Sequence, residues 1–231
     1  MPKPLSVVGY ARFSDAELAT QAAAGDHAAF EAIMRRHNRA LFRTARAILR
    51  DDAESEDALQ EAYLQAHRTL GSYRGDARLS TWLARVVANE ALMRLRKQVR
   101  RSAIVPIHSG LADEEIDQRT QGSMQQEPET SARRAEMRKL LEARIDALPN
   151  AYRSVFMLRA VEEYSVEETA AILQIPEATV RSRFFRARSL LREGLASEAD
   201  LATSEAFAFA GERCDRVVAR VMERLGGEEP R

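Results

Sequence analysis

Cysteine is almost absent from this chain, and its scarcity limits what can hold the fold together. Among 231 residues there is one cysteine, Cys214, so no intrachain disulfide can form, and the usage fits a reducing compartment. Glycine is sparse, at ten residues, and alternating strand-like runs are confined to short fragments. Ala, Leu, Glu and Arg dominate instead, which makes an all-α architecture the expectation. No uncharged apolar stretch approaches the roughly twenty residues that span a bilayer, so no membrane insertion is expected. The start, MPKPLSVVGYARFSD, lacks the long apolar run and small-residue cleavage site of an export signal, and the expected location is cytoplasmic. Histidine is scarce too: His27, His37, His67 and His108 are scattered and give no metal-ligand spacing with Cys214. No phosphate-binding glycine loop and no nucleophile with a nearby histidine appears, so neither an enzyme, a metal nor a cofactor is expected.

Net charge is absent as well, with 35 basic and 35 acidic residues, but the balance conceals segregation. Between Asp51 and Glu61 stand six acids and no base, whereas Arg94 to Arg101 holds five bases and no acid. Basic segments suit nucleic acid, while an acidic face repels it and fits a basic protein surface.

The segment from Glu177 to Arg192 carries the most specific pattern. At about 100° per residue, Val180, Phe184, Ala187 and Leu191 form one apolar stripe. The opposite face carries Arg181, Ser182, Phe185, Arg186, Ser189 and Arg192. An aromatic ring among guanidinium groups fits major-groove reading, where arginine meets phosphates or guanine and an apolar group meets a thymine methyl. A surface helix with one stray aromatic is the plainer alternative. Upstream, Ser165 and Glu168 fit a capping box, and Val166, Ala170 and Leu173 share one side of the helix it begins. Pro176 favours a fresh helix start, so the two helices and the turn Leu173-Gln174-Ile175 read as a helix-turn-helix. Gln174 stands where many such turns place glycine.

Helices are expected near 15–24, 28–49, 54–70 and 81–98, forming a bundle. In the third, Leu59, Ala62, Tyr63, Ala66 and Leu70 make the core stripe, leaving Asp57, Gln60, Glu61, Leu64 and Gln65 on the other side. Leu64, exposed among acids, is a plausible docking anchor or a harmless leucine on a solvated face. Beyond it lie Gly75, Asp76, Ala77 and Arg78, then Trp82, with Arg85, Asn89 and Arg96 on one stripe of the following helix. Aromatic and guanidinium groups stack on unpaired bases and asparagine reads a base edge, although a lone tryptophan in a bundle also suits the core. Residues 102–130 hold Pro106, Gly110, Gly122 and Pro128, with six acids against Arg119, and read as a flexible acidic linker. In the tail, Val217, Val218, Val221, Met222 and Leu225 are spaced for another amphipathic helix, with Cys214 near the stripe's edge as a small buried residue rather than a redox switch.

Taken together, Ser55 to Lys97 and Leu148 to Glu193 resemble regions 2 and 4 of the bacterial RNA polymerase sigma factors, in the small extracytoplasmic-function group. Ser14 to His37 is similar to that family's opening helices. The resemblance implies two small helical domains, at 10–101 and 131–195, joined by the linker 102–130, with a C-terminal helical extension at 196–231. It implies that Asp57, Gln60, Glu61 and Leu64 dock on the β′ clamp helices of core RNA polymerase, with the β subunit also a partner. By the same resemblance, Gly75, Asp76, Ala77, Arg78, Trp82 and Asn89 capture a flipped base of the −10 element. Arg181, Ser182, Phe185 and Arg186 would read the −35 element of promoter DNA, and an anti-sigma factor is an expected partner. Ala84 and the loop Ala77-Arg78-Leu79 depart from many members, so the preferred −10 base does not carry over. A free-standing helix-turn-helix regulator is the competing reading, and the tail, outside the shared pattern, is expected to pack on a domain or act as a regulatory handle.

Overall fold

The computed structural model describes residues 7–10, 12–104, 128–194 and 211–227. Ten α-helices and no strand occur among the described residues: α1 (Val7–Tyr10), α2 (Asp15–Ala23), α3 (His27–Leu49), α4 (Asp52–Thr69), α5 (Leu79–Ile104), α6 (Pro128–Ala147), α7 (Asn150–Phe156), α8 (Val166–Leu173), α9 (Glu177–Gly194) and α10 (Glu212–Gly227). Local chemistry sets the starts. Ser14 and Glu17 close a capping box on α2, Asp26 accepts from the amides of Ala28 and Ala29 on α3, and Asp51 accepts from that of Glu54 on α4. The helix expected to end near Gln98 continues to Ile104, and Pro128 opens α6, where a missing N–H leaves no bond unmade. Helix thus enters both ends of the stretch read as linker. The rest of that stretch, 105–127, lies outside the described residues, as do 195–210 of the tail.

Helices α2 to α5 form the first bundle around Phe30, Ile33, Leu41, Leu59 and Tyr63, all at most 1% exposed. Each such side chain taken fully from water contributes about 1.5–3 kcal/mol before its ordering cost. The second unit, α6 to α9, is bolted to the first through the end of α3. Arg153, 1% exposed, donates from Nε to the carbonyl of Ala47 at 2.7 Å and from Nη1 to those of Leu148 and Asp146 at 2.9 and 3.2 Å. Asn150 donates to the carbonyl of Ile48 at 2.7 Å. Carbonyls that a helix C-terminus leaves unpaired are thereby capped from the other unit. Burial first, then the neighbouring Arg50, holds the pKa of Arg153 down to about 10. Arg46 grips Asp146 through two hydrogen bonds, and Arg43 pairs with Glu162 at 3.0 Å.

The tail helix α10 packs on α3 and α4. Val217, Val218, Val221 and Leu225 are at most 5% exposed and join the core cluster of the first bundle. Cys214 is half-buried, and its Sγ accepts from Asn38 Nδ2 at 2.9 Å.

Candidate functional site

The helix-turn-helix forms as its capping residues dictate. Ser165 accepts from the amide of Glu168 at 3.1 Å, and Glu168 accepts from that of Ser165 at 2.8 Å. Gln174 takes the left-handed conformation itself, at φ 54°, so the turn closes without glycine. The buried side of α8 is Thr169, Ile172 and Leu173, with Val166 and Ala170 half-buried, because α8 packs on both α9 and α5. In α9, Val180, Ala187 and Leu191 are buried, and the half-buried Phe184 stacks on Phe156 at 6.4 Å between centroids. Arg159 and Arg188 lie over the ring of Phe184 at 5.6 and 5.9 Å, a pairing that helical spacing shows for Arg188 only as i,i+4 and for Arg159 not at all.

On the outer face of α9, Arg181, Ser182, Phe185 and Arg186 are all exposed, Phe185 at 75%. The hydroxyl of Ser182 donates to the carbonyl of Thr179 at 3.1 Å, and Arg181 pairs with Glu177 at 2.7 Å. The surface combines an accessible aromatic edge with solvated cations, the chemistry of groove reading.

The second candidate surface lies at the start of α5. Gly75 holds φ 79° at the apex of a loop where Asp76, Ala77 and Arg78 are exposed. Tyr73 donates to the carbonyl of Ala77 at 2.7 Å, closing the loop, and its ring meets Trp82 at 5.6 Å. Trp82 is half-buried against the core, so one edge packs while another remains accessible. Asn89 and Arg85 are exposed farther along the same helix. The second unit leans on this region. Thr81 Oγ1 donates to Glu168 at 2.9 Å, Arg78 Nε stands 3.8 Å from the same carboxylate, and Tyr164 donates to the carbonyl of Ser80 at 3.3 Å.

The acidic surface of α4 differs from expectation. Asp57 is exposed and Glu61 partly so, but Leu64 is 1% exposed and Gln60 is 8% exposed. The cover is α10. Arg213 pairs with Asp52 and Glu56 at 3.0 and 2.8 Å, Arg216 with Glu56 at 3.1 Å, and Arg224 with Glu61. The partners rise in the same order along both helices, so α10 runs parallel to α4 along its acidic stripe. Leu64 and the valines of α10 share one buried cluster. Gln60 Nε2 is buried with no hydrogen-bond partner among the described residues. A wheel drawn for one helix shows which side is apolar but not which other helix arrives.

Similarity to known proteins follows the same two units. Residues 33–101 match the family model Sigma-70 region 2, and residues 138–191 match Sigma-70, region 4. The chain is 37% identical over 197 residues to the ECF RNA polymerase sigma factor SigM of Mycobacterium tuberculosis H37Rv, covering 83% of this chain and 92% of that protein. It is 33% identical over 185 residues to the ECF RNA polymerase sigma-E factor of Escherichia coli K12, covering 78% and 93%. Among solved structures, CnrH in complex with the cytosolic domain of CnrY aligns at TM-score 0.52 and 25% identity, over 80% of this chain and 99% of that one. The sigma factor RpoE in complex with the anti-sigma factor NepR from Bartonella quintana aligns at 0.50 and 25%, over 69% and 91%.

A helical bundle with a loop at one end, followed by a helix-turn-helix, defines a sigma-70-class transcription initiation factor. Within that class, the chain belongs to the extracytoplasmic-function RNA polymerase sigma factors. Its function is to bind core RNA polymerase and direct transcription from particular promoters. No described helix is long and apolar enough to cross a membrane.

Proposed function

We propose that the chain divides promoter recognition between its two units. Arg181, Ser182, Phe185 and Arg186 read the −35 element, and Gly75, Asp76, Ala77, Arg78, Trp82 and Asn89 capture an unstacked base of the −10 element. Asp57, Gln60, Glu61 and Leu64 form the face for the β′ clamp helices, with the β subunit as a further contact. The observation that carries the reading is Phe185, 75% exposed among exposed arginines on the second helix of a helix-turn-helix. Acids that repel DNA on α4 support a separate protein-docking role, which a free-standing regulator would not need. The chain works in the cytoplasm beside polymerase, performs no catalysis by itself and is held in check by an anti-sigma factor, as RpoE of Bartonella quintana is bound by the anti-sigma factor NepR.

The test is reconstitution with core polymerase on genomic fragments, read as start-site-specific transcripts. We expect defined transcripts from a small set of fragments with the wild-type chain and none with Glu61→Arg, which should lose polymerase binding by tenfold or more while keeping its helical content. Duplex binding without any specific transcript would overturn the reading in favour of a free-standing regulator.

A further inference from the structure

The tail helix lies outside both matched regions, yet it occupies the very surface proposed for polymerase docking. We propose that α10 is an intrachain competitor of core polymerase: it covers the acidic stripe of α4 in the free protein and must leave before the clamp helices can dock. The inference rests on the docking reading of Asp57 to Leu64, and it adds regulation to that site.

Two observations converge on it. The first is position: Arg224 pairs with Glu61, while Leu64 and Gln60 are buried, so of the four docking residues Asp57 alone stays exposed. The second is chemistry. Cations flanking the row Val217, Val221 and Leu225 give α4 what an acidic face with a central leucine requires of any partner. A competing polymerase surface must offer the same combination, a basic helix with an apolar strip.

Closure by a tethered segment costs affinity in proportion to how completely it is closed. If the open form is a fraction f of the free chain, the apparent Kd for polymerase is the intrinsic one divided by f. Weakening α10 should therefore tighten polymerase binding, the opposite of what damage to a structural helix would do.

Two measurements on the full chain test this. Hydrogen exchange followed by mass spectrometry should show the amides of α10 protected in the free protein and at least tenfold faster in the complex with core polymerase, while those of α4 become slower. The double variant Arg216→Glu, Arg224→Glu should bind core polymerase at least tenfold more tightly than wild type, with the amides of α2, α3 and α5 as protected as before. A single Val221→Asp substitution in the buried row should act in the same direction. If α10 stays protected in the complex, or the variants bind no more tightly while Glu61→Arg still abolishes binding, the competition is refuted and the docking face stands. If neither Glu61→Arg nor Asp57→Arg, the latter at an exposed docking residue, lowers affinity, the docking face itself is refuted and the competitor falls with it.

Discussion

Phe185 exposes three-quarters of its surface on a face otherwise made of arginine and serine. Water gains nothing from that ring, and the neighbouring apolar stripe already has Phe184 for packing. Because Phe185 touches no core, Phe185→Ala should leave thermal stability within about 0.5 kcal/mol of wild type. Its effect belongs to DNA: holoenzyme binding to a promoter with an intact −35 element should weaken by about 1–2 kcal/mol, roughly 5–30-fold. Competition binding on a promoter with a scrambled −35 element should show no such loss. An equal loss on both promoters would remove the ring from the groove. The outward position of Phe185 was legible from spacing alone, because its neighbours at helical intervals are Arg181, Ser182, Arg188 and Ser189. The burial of Leu64 was not, since its nearest acid in sequence, Glu61, is one that α10 later pairs.

At the scale of the element, the helix-turn-helix obeys its local signals except at one residue. Gln174 adopts φ 54° and ψ 45°, a conformation that costs a residue with a Cβ about 1 kcal/mol, and its side chain is exposed. Gln174→Gly should therefore stabilise the chain, by about 0.3–1 kcal/mol after the added flexibility of the unfolded state is set against the relief. Thermal unfolding monitored by circular dichroism checks it, and a lower midpoint would mean that Gln174 contributes a contact beyond its backbone role. Caps and stripes made α2, α3, α4, α8 and α9 readable to within a few residues, because each cap lies within one turn of the helix it sets, whereas the stripe of α10 marked a helix without its start. Their pairing was harder. Arg213, Arg216 and Arg224 complement Asp52, Glu56 and Glu61, but Arg213 and Glu56 lie 157 residues apart in sequence and Arg224 and Glu61 lie 163 apart, and charge alone does not choose among surfaces.

On the scale of the whole molecule, the two units share contacts that composition did not reveal. Thr81, Arg78 and Ser80 at the candidate −10 surface meet Glu168 and Tyr164 of the helix-turn-helix unit, so this surface rests against the second unit. The bolt at the end of α3 is stronger in kind, because a buried cation there serves three carbonyls. Arg153→Met keeps much of the volume but leaves those carbonyls unpaired, and should destabilise the chain by about 2–4 kcal/mol. Denaturant unfolding of the full chain measures it. A change below about 1 kcal/mol would show that water replaces the guanidinium.

That same arginine bears on how the protein is made. The end of α3 leaves the ribosome long before Arg153 does, the two being 106 residues apart from donor to acceptor. At about 5–20 residues per second, the carbonyl of Ala47 waits roughly 5–20 s for its donor, and the bundle, complete only at the end of α5, waits for about half of that. Synthesis therefore passes through a stage in which the first bundle is present but frayed at one corner, and the chain completes that helix only when its second half arrives.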